Sequence, residues 1–454
     1  MSSASTDAGP GPVVSGPVVS GPVVSGPVVS GPVVSGPVVS GAAATGAVVT
    51  GVGVVAPTGV GAEEHWQAVL AGKSGIGRIS RFDPTSYPVR LAGEVPGFAA
   101  RERVPGRLIP QTDHWTHMAL AATQAALADA GVDPGELPEY EMAVVTASSS
   151  GGTEFGQHEM ERLYTKGPSW VSVYQSIGWF YAATTGQVSI RHGMRGPCGV
   201  LCTEQAGGLD ALGQARRLLR SGARLVVSGG TDASLCPYGL TAQLATGLLS
   251  TEQDPGRAYL PFDAAASGYL PGEGGAILVV ERDAPDGYGA IRGYAAGFDP
   301  RPGSGRRPAL RGTIERALAD AGVTPGDIDV VFADAAGVPE LDLAEAEAIT
   351  AVFGPRGVPV TAPKTLTGRL YGGGAALDIA TALFALRDDV IPHTVGPTRL
   401  APGCELDLVL GEPRDTPVRT ALVLARGHGG FAAAMVLSDL HHISRTGNIS
   451  RTGK

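Results

Sequence analysis

The sequence predicts an α/β fold with buried parallel sheets, assembled from two similar halves. Three observations predict it. Short apolar strands alternate with helix-periodic segments along the chain. The strands are apolar throughout rather than apolar on alternate residues, as strands covered by helices on both faces must be. The pattern also completes itself near residue 280 and starts again near 290.

Ala47–Val55 is a β-branched run ended by Pro57, which reads as a strand. Residues 115–131 carry apolar positions at helical spacing and close on Gly131. Met142–Ala147 is a short buried strand. Residues 206–221 place Leu209, Leu212, Ala215 and Leu219 on one stripe of a helix stopped by Gly222. Arg224–Ser228 is the next strand and runs into Gly229-Gly230; Ala276–Val280 closes the first half. Ala290–Gly297 opens the second half as a new first strand, and 310–322 is an amphipathic helix ended by Gly322. Ile328–Ala333, Val358–Thr361 and Ala421–Ala425 read as strands, and 373–386 as an Ala/Leu-rich helix.

The ends differ from this body. Residues 11–40 are six copies of Gly-Pro-Val-Val-Ser. That period is too short for a solenoid, and its proline and glycine disfavour a regular ladder, so a disordered or extended tail is expected. At the other end Ile443–Gly447 recurs as Ile449–Gly453 in a polar, frayed stretch. The expected organisation is a low-complexity tail 1–45, an N-terminal half 46–285, a C-terminal half 286–438 and a polar tail 439–454.

Composition narrows the function classes. The 454 residues include 17% charged residues and a net charge of −9, which disfavours nucleic-acid binding. No apolar run is long enough to span a bilayer, and the N-terminus lacks the charged and apolar regions of a signal peptide. Cys198, Cys202, Cys236 and Cys404 form no C-x-x-C pair and match no zinc spacing, so a cytoplasmic chain with reduced thiols and no metal is the expectation.

The chemistry-bearing segment is Gly196-Pro197-Cys198-Gly199-Val200-Leu201-Cys202-Thr203-Glu204-Gln205-Ala206-Gly207-Gly208-Leu209-Asp210-Ala211. An apolar strand enters a tight turn and a helix leaves it. A side chain at such an elbow faces a pocket beside backbone N–H groups and the positive end of the helix. A cysteine there would have a lowered pKa and would attack acyl thioesters.

This stretch resembles the active-site segment of β-ketoacyl synthases, G-P-x-x-x-x-x-T-x-C-x-x-G-x-D-A, with Gln205 at the cysteine position. Other landmarks of that family fall in order: Val49-Thr50-Gly51-Val52-Gly53, Pro261-Phe262-Asp263, Gly272-Glu273-Gly274, Lys364 and Gly429-Gly430-Phe431. The resemblance spans about residues 46–438. It implies a thiolase-like fold, two duplicated halves in five layers, αβαβα. Ketosynthases also use two histidines to stabilise the enolate formed on decarboxylation. The first begins H-G-[ST]-G-T and is followed by D-x-x-E; here Asp334 takes its place, ahead of Asp342 and Glu345. The second closes K-x-x-x-G-H; here Arg369 takes its place after Lys364.

Gln205 has no ionisable nucleophile, and the Asp334 carboxylate would repel a developing enolate. Each lost oxyanion donor typically costs about 10²–10³ in rate. Asp334 and Arg369 are candidates to pair with each other in the old active site, and Glu345 and Lys364 to form a structural ion pair. No catalytic residue is therefore expected. The pattern resembles the chain-length factor, or ketosynthase beta subunit, of type II aromatic polyketide synthases. That implies a heterodimer with a ketosynthase alpha subunit, which carries the working Cys and His. It also implies an acyl carrier protein that presents the chain on a phosphopantetheine arm, with no cofactor bound here.

In that family three positions on an interface helix gate the depth of the polyketide cavity. By distance from Gln205 they fall on Thr153, Gly156 and Met160, at spacings that share one helix face. These side chains leave the cavity open, so a long product of decaketide class or beyond is expected, and Gly156→Trp should shorten it. The alternative reading is a malonyl-carrier-protein decarboxylase that makes the acetyl starter through Gln205; decarboxylases of that kind keep their histidines. Blander readings hold elsewhere. Cys202 is a small buried hydrophobe rather than a displaced nucleophile. His158 is solvated, and His65, His114 and His117 belong to no motif. Trp170, Tyr174, Trp179 and Phe180 serve core or interface packing.

Overall fold

A computed structural model of the chain describes residues 46–301 and 303–440. The repeat tail 1–45, and all but the first two residues of the tail 439–454, lie outside the described residues. The strands are β1 (Ala47–Val55), β2 (Ile76–Arg78), β3 (Leu91–Gly93), β4 (Met142–Ala147), β5 (Cys198–Leu201), β6 (Leu225–Asp232), β7 (Gly274–Arg282) and β8 (Gly289–Phe298). They continue with β9 (Val330–Phe332), β10 (Pro359–Thr361), β11 (Val390–Ile391), β12 (Asp407–Leu408), β13 (Arg414–Asp415), β14 (Thr420–Gly427) and β15 (Phe431–Ser438).

Among the described residues, 11 strands join in the order β12-β10-β9-β14-β15-β8-β1-β7-β6-β4-β5. The order contains the same unit twice. In the first half the sequence β5-β4-β6-β7-β1 has β4 parallel to β5 and β6, then β7 antiparallel to both β6 and β1. In the second, β10-β9-β14-β15-β8 repeats those directions strand for strand. The two first strands, β1 and β8, pair along a short antiparallel stretch, Ala47–Val49 against Gly289–Ile291.

The expectation of parallel sheets is corrected here: the sheet is mixed. Only three residues, His428 to Gly430, separate β14 from β15, and a turn that short returns the chain antiparallel because a parallel crossover needs a dozen residues or more. β14 and β15 then pair in continuous register from Thr420↔Ser438 to Gly427↔Phe431.

Helices fill three layers around the two half-sheets. Gly207–Arg220 and Gly374–Asp388 pack on each other between the halves, within one apolar cluster that includes Leu209, Leu212, Leu383 and Phe384. Gly374–Asp388 is buried along nearly its whole length, which its run of Ala, Leu, Ile and Phe permits. His114–Asp129 and Ala183–His192 cover the outer face of the first half, around Trp115, Met118 and Leu127. Leu310–Ala321 and Pro339–Phe353 cover the second, around Ile314, Leu318 and Ile349. The result is the thiolase-like five-layer αβαβα arrangement. Burying a side chain such as Leu383 or Phe384 stabilises by about 1.5–3 kcal/mol, so the central helix layer anchors both halves. The site lies where the N-termini of the two central helices converge.

Candidate functional site

Strand β5 delivers the chain to Thr203, a single turn Glu204–Ala206 follows, and helix Gly207–Arg220 leaves. Thr203 donates to Asp210 (2.5 Å), and Tyr294 donates to the other oxygen of Asp210 (2.6 Å), which fixes the turn on the first helical turn. Gln205 sits in that turn and is 1% exposed. Its carboxamide lies against Gly374, the first residue of the other central helix: a Cβ added there would stand 2.2 Å from Gln205 Nε2. Gly208 makes the matching approach, where an added Cβ would lie 2.5 Å from Ala376 N. Two glycines thus let the helix ends meet over the elbow. Among the described residues neither Oε1 nor Nε2 of Gln205 has a hydrogen-bond partner. Such an amide cannot form a thioester, and it carries a desolvation cost of about 1–3 kcal/mol per orphaned group.

Asp334 follows β9, and Arg369 follows the turn Pro363–Leu366. The two are buried and form a bidentate pair: Arg369 Nη1 donates to Asp334 Oδ2 (3.1 Å) and Nη2 to Oδ1 (3.2 Å). Asp334 Oδ1 also accepts from the Arg426 backbone N–H (2.9 Å), and Arg369 donates to the Arg426 carbonyl (2.9 Å). The guanidinium carbon lies 5.3 Å from the Tyr269 ring centroid. Burial opposes the Asp334 charge, but Arg369 and Lys364 outweigh it and hold the carboxyl below its usual range. The two positions that would need neutral hydrogen-bond donors to an enolate therefore hold a mutually neutralised carboxylate and guanidinium.

Glu345 and Lys364 do not pair, which corrects the expectation above. Lys364 Nζ lies 2.8 Å from Asp378 in the central helix Gly374–Asp388. Glu345 is committed elsewhere: its oxygens accept from the backbone N–H groups of Asp334 (2.7 Å) and Ala335 (2.8 Å). Asp342, one turn earlier on the same helix, accepts from Gly337 (2.9 Å) and Phe262 (2.8 Å). The D-x-x-E pair thus clamps the loop 334–337, in which Ala335 has φ +51° and Gly337 has φ +72°. Burial first, then the charge of Asp334, raises the Glu345 carboxyl; burial and the charge of Glu345 push Asp342 up to about 7.

Thr153, Gly156 and Met160 lie on helix Thr153–Lys166. Thr153 and Gly156 are buried, while Met160 is 39% exposed. A Cβ on Gly156 would stand 3.0 Å from Trp179 Cδ1, so the indole lies over this glycine. Thr153 and Trp179 line a cavity of about 330 Å³ with Ser150, Tyr238, Gln243 and Thr246. A smaller cavity of about 200 Å³ is lined by Asp334, Arg369, Arg426, Leu248 and Leu341. Glu204, Tyr269 and His428 line both. Cys202 is exposed, which corrects its reading as a buried hydrophobe; partial desolvation of its thiol first, and the charge of Asp232 next, raise its pKa, the reverse of nucleophile activation.

Sequence reasoning missed Glu204 and underrated Trp179. Glu204 is a variable position in the motif, and the readable signal was a lone carboxylate inside an otherwise small and polar elbow. Trp179 was assigned to packing within its aromatic stretch; nothing in the sequence placed it over Gly156. His65 is buried between Thr58 (2.6 Å) and Thr381 (3.0 Å), and burial pushes it down to about 3, which makes it a neutral structural link. Among the described residues no group of three or more His, Cys, Asp or Glu is arranged to hold a metal, and no helix is long and apolar enough to cross a membrane.

The β-ketoacyl synthase N-terminal domain matches residues 45–285, and the β-ketoacyl synthase C-terminal domain matches residues 288–397. The chain is 59% identical to the tetracenomycin polyketide synthase ketoacyl synthase beta subunit of Streptomyces glaucescens, over 85% of this chain and 96% of that one. The ishigamide ketosynthase/chain length factor superposes with a TM-score of 0.78 at 26% identity, over 87% of this chain and 100% of that one. A type II polyketide synthase acyl carrier protein complexed with its ketosynthase supplies another fold match, TM-score 0.78 at 24% identity, over 88% of this chain and 100% of the matched one. With its nucleophile position held by Gln205 and its body matched end to end, the chain belongs to the β-ketoacyl synthase family, among the ketosynthase beta subunits of type II polyketide synthases.

Proposed function

We propose that this chain is the non-catalytic, chain-length-determining subunit of a type II polyketide synthase. It pairs with a ketosynthase alpha subunit in a cytoplasmic heterodimer that condenses malonyl units into a long poly-β-ketone for aromatic, antibiotic-type polyketide biosynthesis. The observation that carries this reading is the elbow, where a buried amide replaces the nucleophile and an Asp334–Arg369 pair replaces the enolate donors. The chain therefore contributes shape, and the bond-making belongs to the partner.

Two surface features support a partner. Strand β5 ends the sheet, with Cys198 exposed and the rest half-buried, and an open edge of this kind is normally covered. The adjoining segment exposes Trp170, Val173, Trp179 and Phe180, a density of aromatics typical of interface anchors. Thr153, Gly156 and Met160 on the neighbouring helix are proposed as the gate that sets cavity depth. The carrier protein's phosphopantetheine arm delivers the growing chain to the partner's cysteine.

Co-expression with a ketosynthase alpha subunit tests this. The two chains should co-purify one to one. Incubation with malonyl carrier protein should leave an acyl adduct on the partner, and none on this chain, by intact-mass analysis. An acyl adduct on this chain alone would overturn the proposal. The decarboxylase reading has its own test, because the isolated chain would then release acetyl carrier protein. Asp334 and Arg369 are spent on each other, and Glu204 adds a carboxyl beside the elbow, so the site offers no free neutral donor pair to the enolate that such a step requires.

A further inference from the structure

Glu204 stands at the junction of the two cavities. It lines both the pocket of Asp334 and Arg369 and the cavity beneath Trp179, a position that among the described residues only Tyr269 and His428 share with it. Its backbone is unusual: φ is +54° at a residue with a long side chain. Such a conformation is uncommon outside glycine, asparagine and aspartate and strains the backbone. Glycine would fill the position without strain.

The side chain is nonetheless held in place. Its Oε2 accepts from the His428 backbone N–H (2.8 Å), in the turn between β14 and β15. The Gln205 N–H also donates to the carboxylate. Arg369 attracts it and Asp334 repels it, and burial is the strongest influence on it, raising its pKa. The strained backbone therefore aims a tethered carboxylate across the gap between the elbow and the His428 turn.

We infer that Glu204 is a partition, a specificity-determining wall that keeps a growing poly-β-ketone out of the Asp334–Arg369 pocket. This rests on the cavity reading given under Proposed function. A poly-β-ketone presents a row of carbonyl acceptors. The pocket on the far side of Glu204 is lined by Arg369 and Arg426 together with the carboxylates of Asp299, Asp334 and Glu340, and Arg369 is spent on Asp334, so it is a polar side branch that holds no nucleophile. Glu204 closes that branch. Its bulk and its tether to His428 do the closing, and the chain is left with the cavity under Trp179.

The test uses the reconstituted heterodimer with its carrier protein and malonyl units, with products sized by mass spectrometry. Glu204→Gly should fold with a thermal midpoint at or above that of the parent, because glycine suits φ +54°. It should move half or more of the product away from the parent length, and its crystal structure should show one joined cavity. Glu204→Gln keeps the bulk and an acceptor for the His428 N–H, so its shift should be less than a quarter of that of Glu204→Gly. An unchanged length distribution in Glu204→Gly, or two separate cavities in its crystal structure, would overturn the inference. So would a shift in Glu204→Gln as large as in Glu204→Gly, since the wall would still stand. Gly156→Trp separates the two levels: if it shortens the product while Glu204→Gly has no effect, the partition fails and the cavity reading survives. If Gly156→Trp also leaves product length unchanged, the gate itself fails.

Discussion

Asp334 and Arg369 are buried in a bidentate pair, their loop clamped by Glu345 and Asp342. In the aromatic segment, by contrast, Trp170 and Phe180 stand 59% and 53% exposed, and helix Thr153–Lys166 leaves Met160 39% exposed. The first region commits its charged side chains to ion pairing and hydrogen bonds within the chain. The second leaves large aromatic side chains exposed. The difference teaches where stability and where binding energy reside. Mutations in the old active site should act on this chain's own folding, and mutations in the aromatic segment should act on association.

The largest effect should come from Asp334→Ala, which leaves the buried Arg369 without its counter-charge. Breaking one partner of a buried pair typically costs about 3–5 kcal/mol, so urea denaturation should show a loss of that size or no soluble protein at all. The double variant Asp334→Leu, Arg369→Met removes both charges and should recover most of the loss. A cost below about 1 kcal/mol for Asp334→Ala would mean that the pair does not seal the pocket.

Phe180→Ala addresses the other side of the comparison. Truncating an exposed aromatic should change the stability of the isolated chain by no more than about 0.5 kcal/mol. At a buried interface anchor the same truncation should weaken the heterodimer by about 2 kcal/mol, roughly 30-fold in Kd. Equilibrium binding to the alpha subunit and melting of the free chain measure the two quantities. A large loss of intrinsic stability with no loss of affinity would reverse the assignment of the two regions.

Gln205→Leu should have a smaller effect. The parent amide is buried, and among the described residues neither its oxygen nor its nitrogen is hydrogen-bonded. Replacing it with an apolar group of similar size should be neutral or stabilising by about 1 kcal/mol, read from the same denaturation curves. A loss of 2 kcal/mol or more would show that the amide makes contacts in solution that matter to the fold.

Much of this was legible in the residues. Unbroken β-branched runs located β1 and β6, the glycine stops ended the helices close to where they end, and the restart near residue 290 corresponds to the repeated strand order. The antiparallel return of β15 was readable in principle, since His428-Gly429-Gly430 is a hairpin-length link rich in glycine. What stayed hidden depends on three-dimensional partner choice. Lys364 had several carboxylates in reach of its motif, and nothing in D-x-x-E says whether Glu345 will meet an ammonium or two backbone N–H groups. Glu204 was hidden for a related reason. A residue's φ is invisible in sequence unless glycine advertises it, and here a glutamate occupies the left-handed position.

The smallest predicted effect concerns pH and the support of helix Thr153–Lys166. Asp113 caps helix His114–Asp129 through Trp115 N–H (3.2 Å) and accepts from Phe155 N–H (2.7 Å), in the first turn of helix Thr153–Lys166. It is buried, and around it lie Glu154, His114, Arg81 and Glu273, with Arg81 bridging the last carboxylate and Glu154. Burial first, and the charge of Glu154 further, push its carboxyl up to about 7 despite the two N–H donors. A folded pKa above the unfolded value means that the native state holds the proton more tightly. The resulting stability is full below about pH 4, the unfolded range, and is lost as pH rises through about 7. The parent chain should therefore melt lower at pH 8.5 than at pH 5.5. Asp113→Asn keeps a cap acceptor but has no proton to release, so its melting temperature should fall less over the same interval. Asp232, pushed up to about 6, and Asp342, pushed up to about 7, titrate in the same direction and should leave a residual slope in the variant. Equal slopes in parent and variant would show that Asp113 carries its charge without cost in the fold, leaving Glu159 with its contacts to Ser172 and Arg162 as the support of helix Thr153–Lys166.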